Sequence, residues 1–239
     1  MQIEKSIIAE LRQSKAFVEG YNKKNFGCRC EKCTISLYRH THEPELADPA
    51  HTFWDYFRFC ISKVETKGLW LEFGVGSGKT LAFIAKEKPG EIIYGFDSFR
   101  GLPEDWRIDD TTTYKQNKYS LGGIAPQLSG KNIQLVNGYF NETLEHFLQF
   151  HNQPCSFIHI DCDLYSSTIY VLDTLYKTNR IIKGTIILFD ELYNYQYFEE
   201  HEFKALLEFL NTTQIKYIWI AHTESPVRWN GNQAALMIL

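Results

Sequence analysis

The sequence predicts an α/β fold in which a mostly parallel sheet is covered by helices on both faces. From Gly68 onward, short apolar runs alternate with longer helical stretches along the 239-residue chain. The runs lack strict alternation of polar and apolar residues, as is typical of strands that are buried on both faces. The last two runs are joined by "AHTESPVRWNGN", which leaves no room for a helix, so we expect them to pair as an antiparallel hairpin.

Seven strands and five helices follow from this pattern. The predicted strands span residues 69–73, 91–97, 132–136, 155–161, 184–190, 215–220 and 233–239. The predicted helices span residues 78–88, 122–129, 141–151, 166–179 and 199–210. We therefore expect a main domain over residues 66–239.

Residues 1–65 predict a helical cap and no sheet. Apolar residues recur at near-helical spacing from Ile3 to Tyr21, which predicts one amphipathic helix. A second helix is expected to begin with Asp48 as its N-cap and Pro49 at its first position, and to run through Ile61. The cap would close over the site as a lid or form a homodimer contact, and the sequence leaves both possibilities open.

A cysteine-rich loop lies inside this cap. Cys28, Cys30 and Cys33 stand in "GCRCEKC", and His40 and His42 follow shortly after. These side chains could offer four ligands to Zn²⁺, but their spacing matches no standard zinc-binding pattern. A loop of reduced thiols is the alternative, because six cysteines are too few for a disulfide scaffold in a chain of this size.

Composition excludes two classes of partner. A formal net charge of -4 gives no reason to expect binding to nucleic acid, which depends on Lys and Arg side chains that neutralise phosphates. No apolar run approaches the roughly 18 residues that span a bilayer. A hydrophobic fraction of 44% is ample for a buried core. We expect a cytoplasmic protein without membrane association.

The stretch "LEFGVGSGKT" predicts a nucleoside cofactor. A phosphate-binding loop of the G-x-x-x-x-G-K-[ST] type would need glycine at position 73, which is Phe73. Glu72 followed by Gly74 and Gly76 instead fits an acidic strand end and a glycine turn into a helix. Asp97 ends the next strand, where a carboxylate would accept the ribose hydroxyls. Glu72, at the tip of the first strand, would face this cofactor as well.

Acidic residues end two later strands of the predicted sheet. Asp161, Asp190 and Glu191 should meet at one edge, because the carboxyl ends of parallel strands line one crevice. Three such carboxylates repel one another unless a cation such as Mg²⁺ binds between them. The alternative is that some of these acids only cap the following helices, as Asp163 would do. "IILFDE" also resembles the second acidic motif of an ATPase.

Five segments together resemble the macrocin O-methyltransferase (TylF and MycF) family. They are "LEFGVGSGKT", "GFDSFRGLPEDW", "GYFNETL", "HIDCDLYSST" and "GTIILFDE", within residues 68–195. The resemblance implies a Rossmann-like class I methyltransferase fold and Mg²⁺-dependent methyl transfer from S-adenosylmethionine to a hydroxyl of a small-molecule acceptor, typically a glycoside. By position it assigns the metal to Asp161, Asp190 and Glu191, and the cofactor to Glu72, Gly74, Gly76 and Asp97, with Ser98 as a further candidate. The family usually has two aspartates where this chain has Asp190 and Glu191.

The implied reaction is an in-line displacement in which a substrate oxygen attacks the methyl group. Asp161 is a candidate to accept the hydroxyl proton, and His159, on the same face of its strand, is a candidate general base. A buried, hydrogen-bonded histidine is the alternative for His159. Trp106 either forms a wall of the cofactor pocket or fills core. Two other functions stay open, a nucleotide-hydrolysing ATPase and a non-catalytic adaptor on a degenerate methyltransferase fold.

Overall fold

The computed structural model describes residues 2–16, 53–223 and 232–239. No helix in these ranges is long and apolar enough to cross a membrane. In chain order the elements are α1 (Gln2–Leu11), β1 (Lys15–Ala16), α2 (Phe53–Ser62), β2 (Leu69–Phe73), α3 (Lys79–Glu87), β3 (Ile93–Asp97), β4 (Trp106–Arg107), β5 (Thr113–Tyr114), β6 (Ile133–Asn137), α4 (Phe140–Phe150), β7 (Cys155–Ile160), α5 (Tyr165–Lys177), β8 (Ile186–Tyr193), α6 (Glu202–Thr213), β9 (Tyr217–His222) and β10 (Asn232–Ile238), with a 3₁₀ turn at Phe198–Glu200.

The predicted seven-stranded, mostly parallel sheet is confirmed. Among the described residues the strand order is β1-β9-β10-β8-β7-β2-β3-β6, so β1 adds an eighth strand at one edge. Strand β2 pairs in parallel with both β3 and β7, and β7 pairs in parallel with β8. Strand β10 is antiparallel to β8 and β9, as the hairpin prediction required. The carboxyl ends of β2, β3, β7 and β8 therefore lie along one edge of the sheet.

Helices cover both faces of this sheet. Buried side chains of α1, α4, α5 and α6 form a continuous core with one face, and those of α2 and α3 form a core with the other. Alternation along β2 explains the division, since Leu71 and Phe73 join the first core while Trp70 joins the second. The sheet is thus buried on both sides, which is why its strands are apolar without alternation in the sequence.

The N-terminal segment differs from the predicted single helix. Helix α1 ends at Leu11, and β1 then pairs in parallel with β9. The Ser14 hydroxyl lies 2.7 Å from Nδ1 of His222, which fixes the chain beside β9. Pairing of Lys15 and Ala16 with β9 therefore ends the helix at Leu11. The helical periodicity in the sequence continues to Tyr21. Those later positions lie outside the described residues, as do Asp48 and Pro49 and the whole Cys28–His42 cluster.

The helix predicted over residues 122–129 is wrong. These residues have no regular secondary structure, although all of them are described. Gly122 and Gly123 have φ angles of 68° and 77°, in the left-handed region that ends helices, and Pro126 lacks the N–H that a helix would use. The long connection from β3 to β6 contains instead a small antiparallel hairpin of β4 and β5.

Candidate functional site

The glycine loop joins β2 to α3 at the carboxyl edge of the sheet. Gly74 has a φ of 92°, and a Cβ atom there would lie 1.8 Å from the backbone oxygen of Asp161. Gly76 has a φ of 50° and open space where a Cβ atom would project. Gly78, with a φ of 79°, is the N-cap residue of α3. The loop therefore touches the end of β7 on one side and presents bare backbone on the other.

Asp97 binds the glycine loop directly. Its Oδ2 atom accepts the backbone N–H groups of Val75 at 2.9 Å and Gly76 at 2.8 Å. Its Oδ1 atom accepts the N–H of Phe99 at 2.7 Å. The structure thus brings Asp97 together with the glycine loop of Gly74 and Gly76, and their binding of a cofactor stays a prediction. Ser98 lies beside them, buried, and its hydroxyl accepts the N–H of Arg100 at 3.1 Å.

Glu72 is fully buried at the end of β2, and both of its carboxylate oxygens contact protein groups. The Thr80 hydroxyl donates to Oε1 at 2.9 Å, and Nδ1 of His159 lies 3.2 Å from Oε2. Glu72 therefore ties the first turn of α3 and strand β7 to β2. Sequence reasoning missed Thr80, although a hydroxyl in the first turn after a glycine loop is the signal that could have indicated it.

His159 was a candidate either for a general base or for a buried, hydrogen-bonded histidine, and the structure shows it buried and hydrogen-bonded. Its side chain has no exposed surface, and the Phe57 ring packs edge-on with 5.0 Å between ring centroids. Nε2 has no hydrogen-bond partner in the structure. Burial lowers the pKa of His159, but the Glu72 carboxylate, together with the charges of Asp161 and Asp190, outweighs burial and raises the pKa overall. His159 therefore connects β7 to β2 through Glu72, and its buried side chain has no surface that an acceptor could reach.

Three carboxylates gather where β7 and β8 reach the site edge. Oxygen atoms of Asp161, Asp163 and Glu191 all lie within 4.8 Å of one another. The Asp161 N–H donates to the Phe73 carbonyl at 2.8 Å, so this group adjoins the glycine loop. Asp163 does not cap the following helix, because α5 begins at Tyr165 and its N-cap residue is Leu164. We call residues 161–163 the acid turn.

Asp190 does not join this three-carboxylate group. Strand β8 continues to Tyr193, but its pairing with β10 is irregular between Phe189 and Tyr193, so Asp190 and Glu191 lie in an irregular stretch of the strand. The Gln233 amide donates to Oδ1 of Asp190 at 2.5 Å. The structure therefore supplies Asp163 where the sequence nominated Asp190, while Asp161 and Glu191 are common to both sets.

Trp106 fills core. Only 4% of its surface is exposed, and it packs in a small cluster with Leu102, Ile108, Leu164 and Tyr195. The β4–β5 hairpin is joined to the segment before α6 by the Tyr197 N–H, which donates to the Ile108 carbonyl at 3.2 Å. This hairpin module, residues 102–114, packs against Leu164, the residue that directly follows the acid turn.

The residues present fit both groups that the resemblance implies. A Cβ atom at Gly76 would project into open space beside Asp97, so the loop leaves room for a ligand against its backbone. The acid turn and Glu191 offer only carboxylate oxygens, the donor type that Mg²⁺ prefers. Both features lie at the edge where ligands bind in doubly wound α/β sheets.

Comparison with solved structures shows the same fold. The calicheamicin methyltransferase CalS11 superposes with a TM-score of 0.55 at 22% identity, over 76% of this chain and 75% of that chain. A second structure, described as apo CalS11, a TDP-rhamnose 3'-O-methyltransferase, gives a TM-score of 0.52 at 21% identity, over 78% of this chain and 80% of that chain. No curated protein sequence matches significantly.

A family model described as a methyltransferase domain matches residues 71–192. The match covers more than half of the chain and runs from β2 to β8. It includes the glycine loop, Asp97, the acid turn and Glu191. The chain belongs to this methyltransferase-domain family.

Proposed function

We propose that the protein is an S-adenosylmethionine-dependent O-methyltransferase that uses Mg²⁺ and acts on a hydroxyl of a sugar or another polyhydroxylated small molecule. One observation carries the proposal: the glycine loop and the acid turn are in direct backbone contact, at Gly74 and Asp161. A methyl donor bound at the loop would therefore lie next to a hydroxyl bound at the acids. The resemblance to the macrocin O-methyltransferases, and the sugar methyltransferase activity named for CalS11, support this acceptor class.

The chain's own residues would align the reactants. Asp97 would accept the ribose hydroxyls, and the N–H groups that it now binds show that its carboxylate faces the loop. When bound, S-adenosylmethionine supplies an electrophilic methyl group, and Mg²⁺ supplies a charge that makes a nearby hydroxyl more acidic. Methyl transfer from the donor sulfur to the acceptor oxygen would release the hydroxyl proton, which a carboxylate of the site would accept. We assign that proton to Asp161, because His159 is buried.

Asp161, Asp163 and Glu191 are our proposed metal ligands, on the geometry of their oxygens. The sequence nominated Asp190 as the third ligand, and paired variants distinguish the two sets. Asp163→Asn should weaken Mn²⁺ binding about tenfold or more, as expected when an important group of a metal site is lost. Asp190→Asn should weaken it much less, since the Asp190 carboxylate is held by Gln233. Calorimetric titration measures both affinities. If Asp190→Asn weakened Mn²⁺ binding more than Asp163→Asn did, the ligand set nominated from the sequence, with Asp190 as the third ligand, would be supported instead.

Ligand-dependent melting tests the function as a whole. S-adenosylhomocysteine at about one hundred times its dissociation constant should stabilise the protein by about 2.7 kcal/mol. ATP should give no shift, with or without Mg²⁺. Transfer of labelled methyl to polyhydroxylated acceptors should require Mg²⁺ and stop in EDTA. A shift with ATP alone would support the ATPase alternative, and a protein that binds no ligand would support the adaptor alternative.

A further inference from the structure

Glu202 begins helix α6 and is completely buried, although it carries an ionisable side chain. Acidic residues are common in the first turn of a helix, where they face the positive end of the helix dipole, so no local pattern distinguishes Glu202 from other such residues. Such residues usually lie at the surface. A buried glutamate needs partners for both oxygens, because an unpaired charge in the interior is costly. The partners of Glu202 are therefore informative.

One oxygen of Glu202 holds the acid turn. Oε1 accepts the backbone N–H groups of Cys162 at 3.3 Å and Asp163 at 3.2 Å. Asp163 has a φ of 64°, a left-handed conformation that residues other than glycine adopt infrequently. The Leu164 N–H also closes tightly on the Cys162 carbonyl, at 2.6 Å. Glu202 thus stabilises a strained turn whose purpose is to present Asp161 and Asp163.

The other oxygen, Oε2, is buried and has no hydrogen-bond partner. If the carboxyl group were protonated on Oε2, a buried donor would lack an acceptor; if it were ionised, a buried anion would lack a counter-charge. Either state is unfavourable. The carboxylates of Asp163, Asp161 and Asp190 are near enough to repel an ionised Glu202. A cation bound among these acids would supply the counter-charge that an ionised Glu202 lacks.

We propose that Glu202 is a fourth carboxylate of the cation site: Oε1 fixes the acid turn, and the buried negative charge supports the three ligand side chains without being a ligand itself. This inference rests on the proposed function, which places a divalent ion at Asp161, Asp163 and Glu191. It adds a residue from α6 to a site otherwise built from β7 and β8. The site then contains four negative side chains, and its occupation also fixes the start of α6 against the acid turn.

Titration of the full-length protein with Mn²⁺ tests this assignment, followed by calorimetry and by the electron paramagnetic resonance signal of free Mn²⁺. Mn²⁺ is a suitable probe because it accepts the same oxygen ligands as Mg²⁺. Glu202→Gln keeps an oxygen for the two N–H groups and removes the charge, so affinity should fall about tenfold or more. Glu199→Gln is the matched control, since Glu199 is exposed in the preceding turn and its substitution removes the same charge. It should bind as the wild type does.

Two further measurements separate the possible failures. S-adenosylhomocysteine affinity should be unchanged in Glu202→Gln, which shows that the cofactor loop is intact. Glu202→Asp keeps the charge and should bind Mn²⁺ more tightly than Glu202→Gln. If the wild type binds Mn²⁺ and Glu202→Gln binds it within twofold, or if Glu202→Asp is no better than Glu202→Gln, the role of Glu202 is refuted alone. If the wild type binds no Mn²⁺, the proposed cation site fails together with this inference.

Discussion

At the scale of single residues, Gly74 is the point where the two halves of the site touch. A side chain there would collide with the backbone oxygen of Asp161, a group that cannot rotate away. Gly76, two residues later, has a similar left-handed backbone but open space around it. The two glycines therefore serve different purposes: Gly74 allows close packing, and Gly76 leaves room for a ligand.

This difference predicts an ordered series of alanine variants. Gly74→Ala combines a positive φ with a backbone clash and should cost more than about 2 kcal/mol of unfolding free energy. Gly76→Ala adds only the conformational cost, on the order of 1 kcal/mol, but should reduce S-adenosylhomocysteine affinity. Gly90→Ala, at an exposed glycine without a positive φ, is the control and should stay within about 0.5 kcal/mol. Chemical denaturation measures the series, and equal losses for Gly74 and Gly76 would contradict the packing argument.

The sequence predicted where the candidate site residues lie along the chain but not what they contact. Gly74, Gly76 and Asp97 were recognisable because glycine turns and strand-end carboxylates have fixed local spacing. The Glu72–His159 contact joins residues 87 positions apart, and no local pattern reports such a pair. Glu202 was missed for the same reason, because its partners lie about 40 positions away.

At the scale of elements, strands β2, β3, β7, β8 and β10 were predictable because they are buried on both faces. The errors arose where another interaction decided the conformation. Strand β8 continues beyond Asp190 because it pairs with β10 again at Tyr193, and the irregularity between Phe189 and Tyr193 contains both Asp190 and Glu191. Residues 122–129 have an apolar pattern that suits a helix, but Gly122, Gly123 and Pro126 prevent one.

The hairpin module of residues 102–114 was not predicted, because two-residue strands have no periodicity to detect. An isolated two-stranded hairpin is marginal in water, so its stability must come from packing. Trp106 supplies the largest side chain of its small core. The His201 ring adds a contact, with Nε2 at 2.9 Å from the Arg107 carbonyl oxygen. The module is thus fastened to the segment before α6, next to Glu202.

Trp106→Ala should loosen the module without unfolding the sheet. Removing a buried tryptophan typically costs about 3–5 kcal/mol, and here the loss should fall mainly on residues 102–114. Hydrogen exchange should therefore accelerate in that segment and stay slow in β2 and β7. Leu121→Ala, at a side chain that is 42% exposed, is the control and should change little. Uniform acceleration over the whole sheet would show instead that Trp106 belongs to the global core.

At the scale of the whole molecule, the boundary expected at residue 65 does not separate two cores among the described residues. Ile7 and Leu11 of α1 pack into the core beneath α5 and α6, and Tyr56 and Phe57 of α2 pack into the core beneath α3. Helical periodicity showed that these segments have an apolar face, but it could not show which surface that face meets. Both described helices are layers of the sheet domain itself.

Because α2 packs into the core of the sheet domain, one substitution in α2 should destabilise the whole domain. Phe57 has no exposed surface, and its ring contacts both Phe83 of α3 and His159 of β7. Phe57→Ala should therefore lower the unfolding free energy by about 3–5 kcal/mol, in a single cooperative transition. Phe150→Ala removes the same ring from a position that is 70% exposed and should change the free energy by less than about 0.5 kcal/mol. Denaturation followed by both far-ultraviolet circular dichroism and tryptophan fluorescence measures the pair. If Phe57→Ala split the unfolding into two transitions, α2 would belong to a separate cap, as the sequence first suggested.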